Sequence, residues 1–229
     1  GGKRAVRYLA ALSHALSTAC KEWGWLEDSP MRKVSKPKEP RGRVRYLETE
    51  ERERLLQACR ESKNPYLYTV VVTALSTGMR RSEILNLTYR DVDLDKGRIT
   101  LHETKNGERR VVPLVGHALE LLRQHGSIRR IDTVLVFPAI RGQKPQKVLN
   151  FRGAWETALK SAAIDDFRFH DLRHSCASYL AMNGASLAEI GELLGHKNLQ
   201  VTRRYSHLSE VHTAGVVESM NEKIFGGSM

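Results

Sequence analysis

Four short segments carry side chains whose types and order could do chemistry together: Thr77-Gly78-Met79-Arg80-Arg81-Ser82-Glu83, Thr104-Lys105, His170-Asp171-Leu172-Arg173, and Leu194-Gly195-His196 followed by Arg204-Tyr205. Taken singly, each has a plainer reading. Arg80 reads as an ion-paired surface residue, Lys105 as a wet hairpin tip, His196 as a helix-end residue and Tyr205 as a core-edge aromatic. Taken together they fit attack on a phosphodiester. Such a reaction needs cations at the non-bridging oxygens, where negative charge builds in the transition state. Arg80 and Arg173 offer planar forks suited to bidentate contact with a phosphate. His170 and Arg173 stand three apart on a helix and can face the same group, and His196 could add a further hydrogen bond. The nucleophile must be a hydroxyl, and the phenol of Tyr205, with an unperturbed pKa near about 10, needs help losing its proton. His170 is the natural candidate base, and Lys105 could protonate the leaving oxygen.

The elements that must position these groups are mostly helical. Leu9, Leu12, Leu16 and Ala19 share one helical stripe ahead of Trp23, Trp25 and Pro30. Thr49 reads as an N-cap, with Glu50 and Glu51 in the first turn of a helix to about Glu61. Pro65 opens a second helix, which Gly78 interrupts, and a third lies around Ser82 to Leu87. Turn signals at Asp95-Lys96-Gly97 and Asn106-Gly107 predict an antiparallel pair, Arg98 to Glu103 with Arg109 to Pro113, and place Lys105 at its hairpin tip. Helices are expected again at about 115–125, 151–162, 171–183, 187–194, 199–204 and 210–221. Gly184 fits a helix end, and Ser186 with Glu189 a capping box. The expected fold class is mostly α with a small antiparallel β-sheet.

The 229 residues carry 37 Lys and Arg against 26 Asp and Glu, a formal net charge of +11. With 41% hydrophobic residues the chain can build a core, which excludes a disordered tail. The cysteines Cys20, Cys59 and Cys176 are scattered, odd in number and without a CxxC pair, which argues against a disulfide framework. Apolar stretches such as Val70-Val71-Val72 fall far short of the roughly 20 residues that span a bilayer. With no signal segment at the start, a soluble cytosolic protein without membrane attachment is the default.

Charge distribution says more than the total. Arg32, Lys33, Lys36, Lys38, Arg41, Arg43 and Arg45 stand against the single acid Glu39, whereas residues 46–229 hold 26 basic and 22 acidic residues. With Pro37, Pro40 and Gly42 among them, residues 32–45 read as an extended linker able to lie along phosphates. A second run, Arg141 to Arg152 with Lys144 and Lys147, contains no acid.

The order and spacing of these motifs resemble the tyrosine recombinase (phage integrase) family over essentially the whole chain. TGMRRSEILNL looks like the first arginine motif, with Arg80 as the catalytic arginine and Glu83 as its supporting acid. TKNGERRVVPL looks like the hairpin of the catalytic lysine, Lys105. HDLRHSCAS looks like the His-x-x-Arg box with His170 and Arg173. LGH ending at His196 and Tyr205 in Tyr205-Ser206-His207 complete the set. The resemblance implies the tyrosine recombinase catalytic fold over 46–229, a basic interdomain linker over 32–45, and the end of a helical core-binding domain over 1–31. It implies site-specific recombination of double-stranded DNA through a 3′-phosphotyrosyl link, without metal, ATP or other cofactor. It further implies a monomer that becomes a homo-tetramer on paired DNA sites, a possible accessory directionality factor, and a nucleoid-associated bacterial or phage-encoded enzyme. The segment from about Ser209 would dock on a neighbouring protomer or in cis.

Three rivals remain at this level. A type IB topoisomerase would share the phosphotyrosine chemistry. A catalytically silent DNA-binding module would use the helix–turn–helix look of 186–204. A zinc hydrolase would use His170 and His174 at i and i+4, with His196 as a third ligand.

Overall fold

The computed structural model describes residues 2–35, 37, 45–102, 109–140 and 148–226 and, of residues 2–4, 7, 210 and 211, the backbone alone. The chain divides into two units, 1–43 and 44–229. In the first, helix α1 (Gly2–Lys21) is followed by a 3₁₀ turn at Pro30–Lys33. Ala19 and Met31 are buried, while Leu12 of the predicted stripe is 49% exposed. A 3₁₀ turn occupies the start of the expected linker. Pro30 at the first helical position has no N–H to lose, so Arg32 and Lys33 belong to this turn, and Arg32 reaches Asp28 at 2.8 Å.

The second unit opens with α2 (Thr49–Arg60) and α3 (Leu67–Thr77). The cap of α2 is Glu48, one residue before the expected Thr49, and its backbone N–H donates to Glu51. Helix α3 starts two residues after Pro65, because the Asn64 side chain first accepts the Tyr66 N–H in a turn. It is buried on nearly every side, and Thr73 and Thr77 satisfy their hydroxyls on carbonyls four residues back. The short α4 (Arg81–Leu85) follows.

The sheet gains a strand that sequence reading did not anticipate. β1 (Val92–Asp93), β2 (Arg98–Leu101) and β3 (Arg110–Pro113) run antiparallel in that order, with Ile99 opposite both Val92 and Val112. Two residues are too few to show period-two alternation, which is why β1 escaped notice. The hairpin tip with Lys105 and most of the second basic run lie outside the described residues.

Helices α5 (Gly116–Ser127), α6 (Arg152–Ser161), α7 (Asp171–Met182) and α8 (Leu187–Leu194) fall close to the expected spans. The predicted Ser186–Glu189 capping box is formed on both sides. Residues 199–209 form a 3₁₀ helix instead of a short α-helix, and α9 (Glu210–Phe225) continues from it. Local bonds of i to i−3 type favour the tighter winding: Arg204 to the Val201 carbonyl, Ser206 to Arg203 and Ser209 to Ser206.

One core joins α2, α3, the sheet, α5, α6 and Leu172 of α7; a smaller cluster holds Ala177, Ala181, Ile190, Leu194 and Tyr205. Helix α7 belongs to both. The incoming chain is pinned to it, since the Leu47 N–H donates to Ser175 Oγ and the Tyr179 hydroxyl to the Leu47 carbonyl. No helix among the described residues is long and apolar enough to cross a membrane.

Candidate active site

The site begins where α3 must stop. Gly78 adopts φ +61, and a Cβ there would stand 2.4 Å from Leu194 Cδ2, so only glycine permits both the turn and the approach of α8. Two residues later Arg80 enters α4 in extended conformation. Its backbone N–H donates to Glu83 Oε2 at 2.8 Å and its Nη1 to Oε1 at 2.6 Å. Arg110 Nη2 from β3 donates to the same Oε2 at 2.9 Å. One carboxylate therefore holds two guanidinium groups.

Arg173 approaches from α7 and is 4% exposed. Its Nη1 donates to the Gly78 carbonyl at 2.7 Å and its Nη2 to the Leu194 carbonyl at 2.5 Å. Those carbonyls close α3 and α8, so the cation sits at the negative ends of two helices. Burial, then the charges of Arg80 and Arg110, lower its pKa to about 10, which still leaves it charged at neutral pH. A guanidinium has five N–H donors, so two carbonyls do not exhaust it.

The histidines are held neutral. Burial first, then the positive charges of Arg173 and Arg80, push His196 down to about 4, and its Nδ1 lies 2.9 Å from the Thr202 hydroxyl. Burial and the Arg173 charge also lower His170. His174, one helical turn later, is pushed to about 4 by burial and by His170. Its Nδ1 stands 2.5 Å from the Tyr205 hydroxyl. Tyr205 is 1% exposed, and burial raises its phenol to about 12. With the imidazole near 4 and the phenol near 12, both groups are neutral in the resting site.

The sequence model of the phage integrase family matches residues 45–212. The chain belongs to the phage integrase family. It is 35% identical to the integrase of Salmonella phage P22 over 231 residues, covering 97% of this chain and 58% of that protein. It is 37% identical to the shufflon-specific DNA recombinase of Escherichia coli, covering 87% of this chain and 50% of that one. The chain thus spans about half the length of these relatives. Among solved structures, the catalytic domain of bacteriophage HP1 integrase superposes with a TM-score of 0.59 at 29% identity, covering 77% of this chain and 95% of that one. The mostly helical fold with a small three-stranded sheet is that of tyrosine recombinase catalytic domains.

Within this phage integrase family member, the structure brings Arg80, Glu83, Arg173, His170, His196 and Tyr205 into one region, while Lys105 lies outside the described residues. Two roles change. The side chain on the Tyr205 hydroxyl is His174, whereas the sequence pointed to His170; the His170 ring lies edge-on to His174 at 5.3 Å. Arg45, expected on DNA, is committed to the fold: it donates to Glu51 at 2.8 Å, which raises its pKa, and lies over the Phe167 ring. Lys36, Lys38, Arg41 and Arg43 lie outside the described residues. Arg110 and Thr202 were missed, though strand alternation with buried Val112 had placed Arg110 on an inward face. For the zinc alternative, no three metal-ligating side chains gather among the described residues.

Proposed function

We propose that this chain cleaves and rejoins DNA as the catalytic part of a site-specific tyrosine recombinase. The observation that carries the reading is a phenol poised beside an imidazole, with Arg80, Arg173 and His196 in the same electrostatic neighbourhood. In this mechanism the Tyr205 phenol gives its proton to the His174 imidazole as its oxygen attacks the scissile phosphorus, the bond to the 5′-oxygen breaks, and a 3′-phosphotyrosyl link forms. Lys105 gives a proton to the departing 5′-oxygen. A 5′-hydroxyl of the partner duplex then attacks the link and returns Tyr205 to its hydroxyl form. Bond energy is conserved throughout, so neither ATP nor metal enters the balance. Arg80 and Arg173 stabilise charge on the non-bridging oxygens, and His196 adds a hydrogen bond.

The partner is double-stranded DNA with a specific recombination site, as the names of the integrase and recombinase relatives support. Residues 46–229 serve as the catalytic domain, 32–45 as the basic linker and 1–31 as the end of a core-binding domain. The working assembly is a homo-tetramer on two sites, with an accessory factor setting direction, in a bacterial cytoplasm at the nucleoid.

The test is a nicked suicide substrate bearing the cognate site, given to the full-length protein. Wild type should accumulate a covalent adduct at Tyr205 and Tyr205→Phe none. Replacing Arg80 or Arg173 should slow adduct formation on the order of 10²-fold or more. Absence of any adduct with wild type rejects the reading, and relaxation of supercoiled DNA lacking the site would favour a topoisomerase instead.

A further inference from the structure

Arg110 opens β3 opposite Leu101, at the base of the hairpin that in sequence carries Lys105. Its side chain is 8% exposed. A methionine would fill such a slot without burying charge, so the guanidinium needs a reason. Nη2 has one, the 2.9 Å bond to Glu83 Oε2, but Nε and Nη1 have no hydrogen-bond partner among the described residues. The fit around them is tight: a Cβ on Gly195 would lie 2.4 Å from Nη1, so the glycine before His196 is the residue that makes room.

The carboxylate that Arg110 grips is the one that orients Arg80. Glu83 alone would offset part of the charge of the arginine it positions, since a carboxylate 2.6 Å from the guanidinium opposes its field at a nearby phosphate. With Arg110 on its second oxygen, the trio carries one net positive charge and Glu83 is fixed from both sides. We propose that Arg110 is a positioning residue that shares Glu83 with Arg80, restores the positive charge Glu83 would offset, and ties the aim of Arg80 to the seating of the hairpin base and the Gly195–His196 turn. This rests on the DNA-cleaving reading above.

The experiment measures single-turnover adduct formation by full-length protein on the nicked cognate site at saturating DNA, beside DNA affinity. Arg110→Met should cut the rate on the order of 10-fold or more while leaving Kd within about threefold. Arg110→Lys, which keeps the charge but not the fork, should fall between. On a substrate with a neutral methylphosphonate at the scissile position, the Arg110→Met deficit should shrink, because less charge needs stabilising; a merely structural defect would persist. In a Glu83→Gln background the same substitution should cost less than about threefold more, since its route through Glu83 is gone.

A wild-type rate for Arg110→Met, a loss confined to Kd, or a full additional loss in the Glu83→Gln background each overturns the role. If Arg110→Met does not fold, Arg110→Lys on the two substrates decides. The two readings fail separately: no wild-type adduct at Tyr205 rejects the activity, whereas adducts formed equally fast with and without Arg110 reject this role alone.

Discussion

The Tyr205 hydroxyl and His174 Nδ1 lie 2.5 Å apart across the α7–3₁₀ junction, inside a cluster with Ala177, Ala181, Ile190 and Leu194. The phenol is therefore held protonated and oriented beside a neutral imidazole. In the proposed mechanism, phosphate binding brings negative charge near His174 and raises its basicity, which makes this contact a route for the phenol proton.

Removing His174 tests this pairing. His174→Phe leaves a buried phenol unsatisfied, a loss of about 1–3 kcal/mol, and should slow adduct formation at least about 10-fold. His174→Asn, which keeps a side-chain acceptor, should recover part of both. Equal cleavage by His174→Phe and wild type, in the suicide-substrate assay, would return the role to His170.

Acid should weaken the catalytic unit for an identifiable reason. His174 and His196 are neutral in the folded state down to about 4, and His170 is lowered too, while unfolded histidines protonate near 6.5. Below 6.5 the unfolded chain binds more protons than the folded one, so stability is full above that pH and drains as pH falls toward about 4. Urea unfolding at pH 7, 6 and 5 should show this decline, and His196→Gln should flatten it. Identical midpoints at all three pH values would contradict the burial of neutral histidines.

Gly78→Ala should be costly. The residue needs φ +61, and its new Cβ would meet Leu194 at 2.4 Å and Cys176 Sγ at 3.3 Å. Backbone strain and overpacking together predict about 2–4 kcal/mol of destabilisation. Because the Gly78 carbonyl accepts from Arg173, cleavage should fall even where the variant remains folded, as circular dichroism and the adduct assay would show.

The basic segment should split into two behaviours. Arg45 is occupied by Glu51 and Phe167, so Arg45→Ala should lower the melting temperature and leave the salt dependence of DNA binding unchanged. Neutralising Lys36, Lys38, Arg41 and Arg43 together should do the reverse, reducing the log–log salt slope by up to about 0.9 for each phosphate no longer neutralised. Filter binding across a salt series measures both, and an unchanged slope for the fourfold variant shows that the linker stays off the DNA.

The sequence by itself determined most of the elements and named the candidate site residues. The Ser186–Glu189 box, the stop at Gly78 and the strands over Arg98–Leu101 and Arg110–Pro113 were legible because caps, turns and periodicity are written within a few residues. Arg80, His170, Arg173, His196 and Tyr205 were legible because their order is a motif. Tertiary structure decided the partners. His170 and His174 stand four apart on one helix face, and which of them meets Tyr205 depends on how α7 is rotated against residues 199–209, a matter of packing among Ala177, Leu194 and their neighbours. Arg110 reaches Glu83 across 27 residues, and Arg173 reaches Gly78 across 95. No local pattern encodes such meetings, because they arise when separately formed elements are pressed against one core and their buried polar groups must find each other.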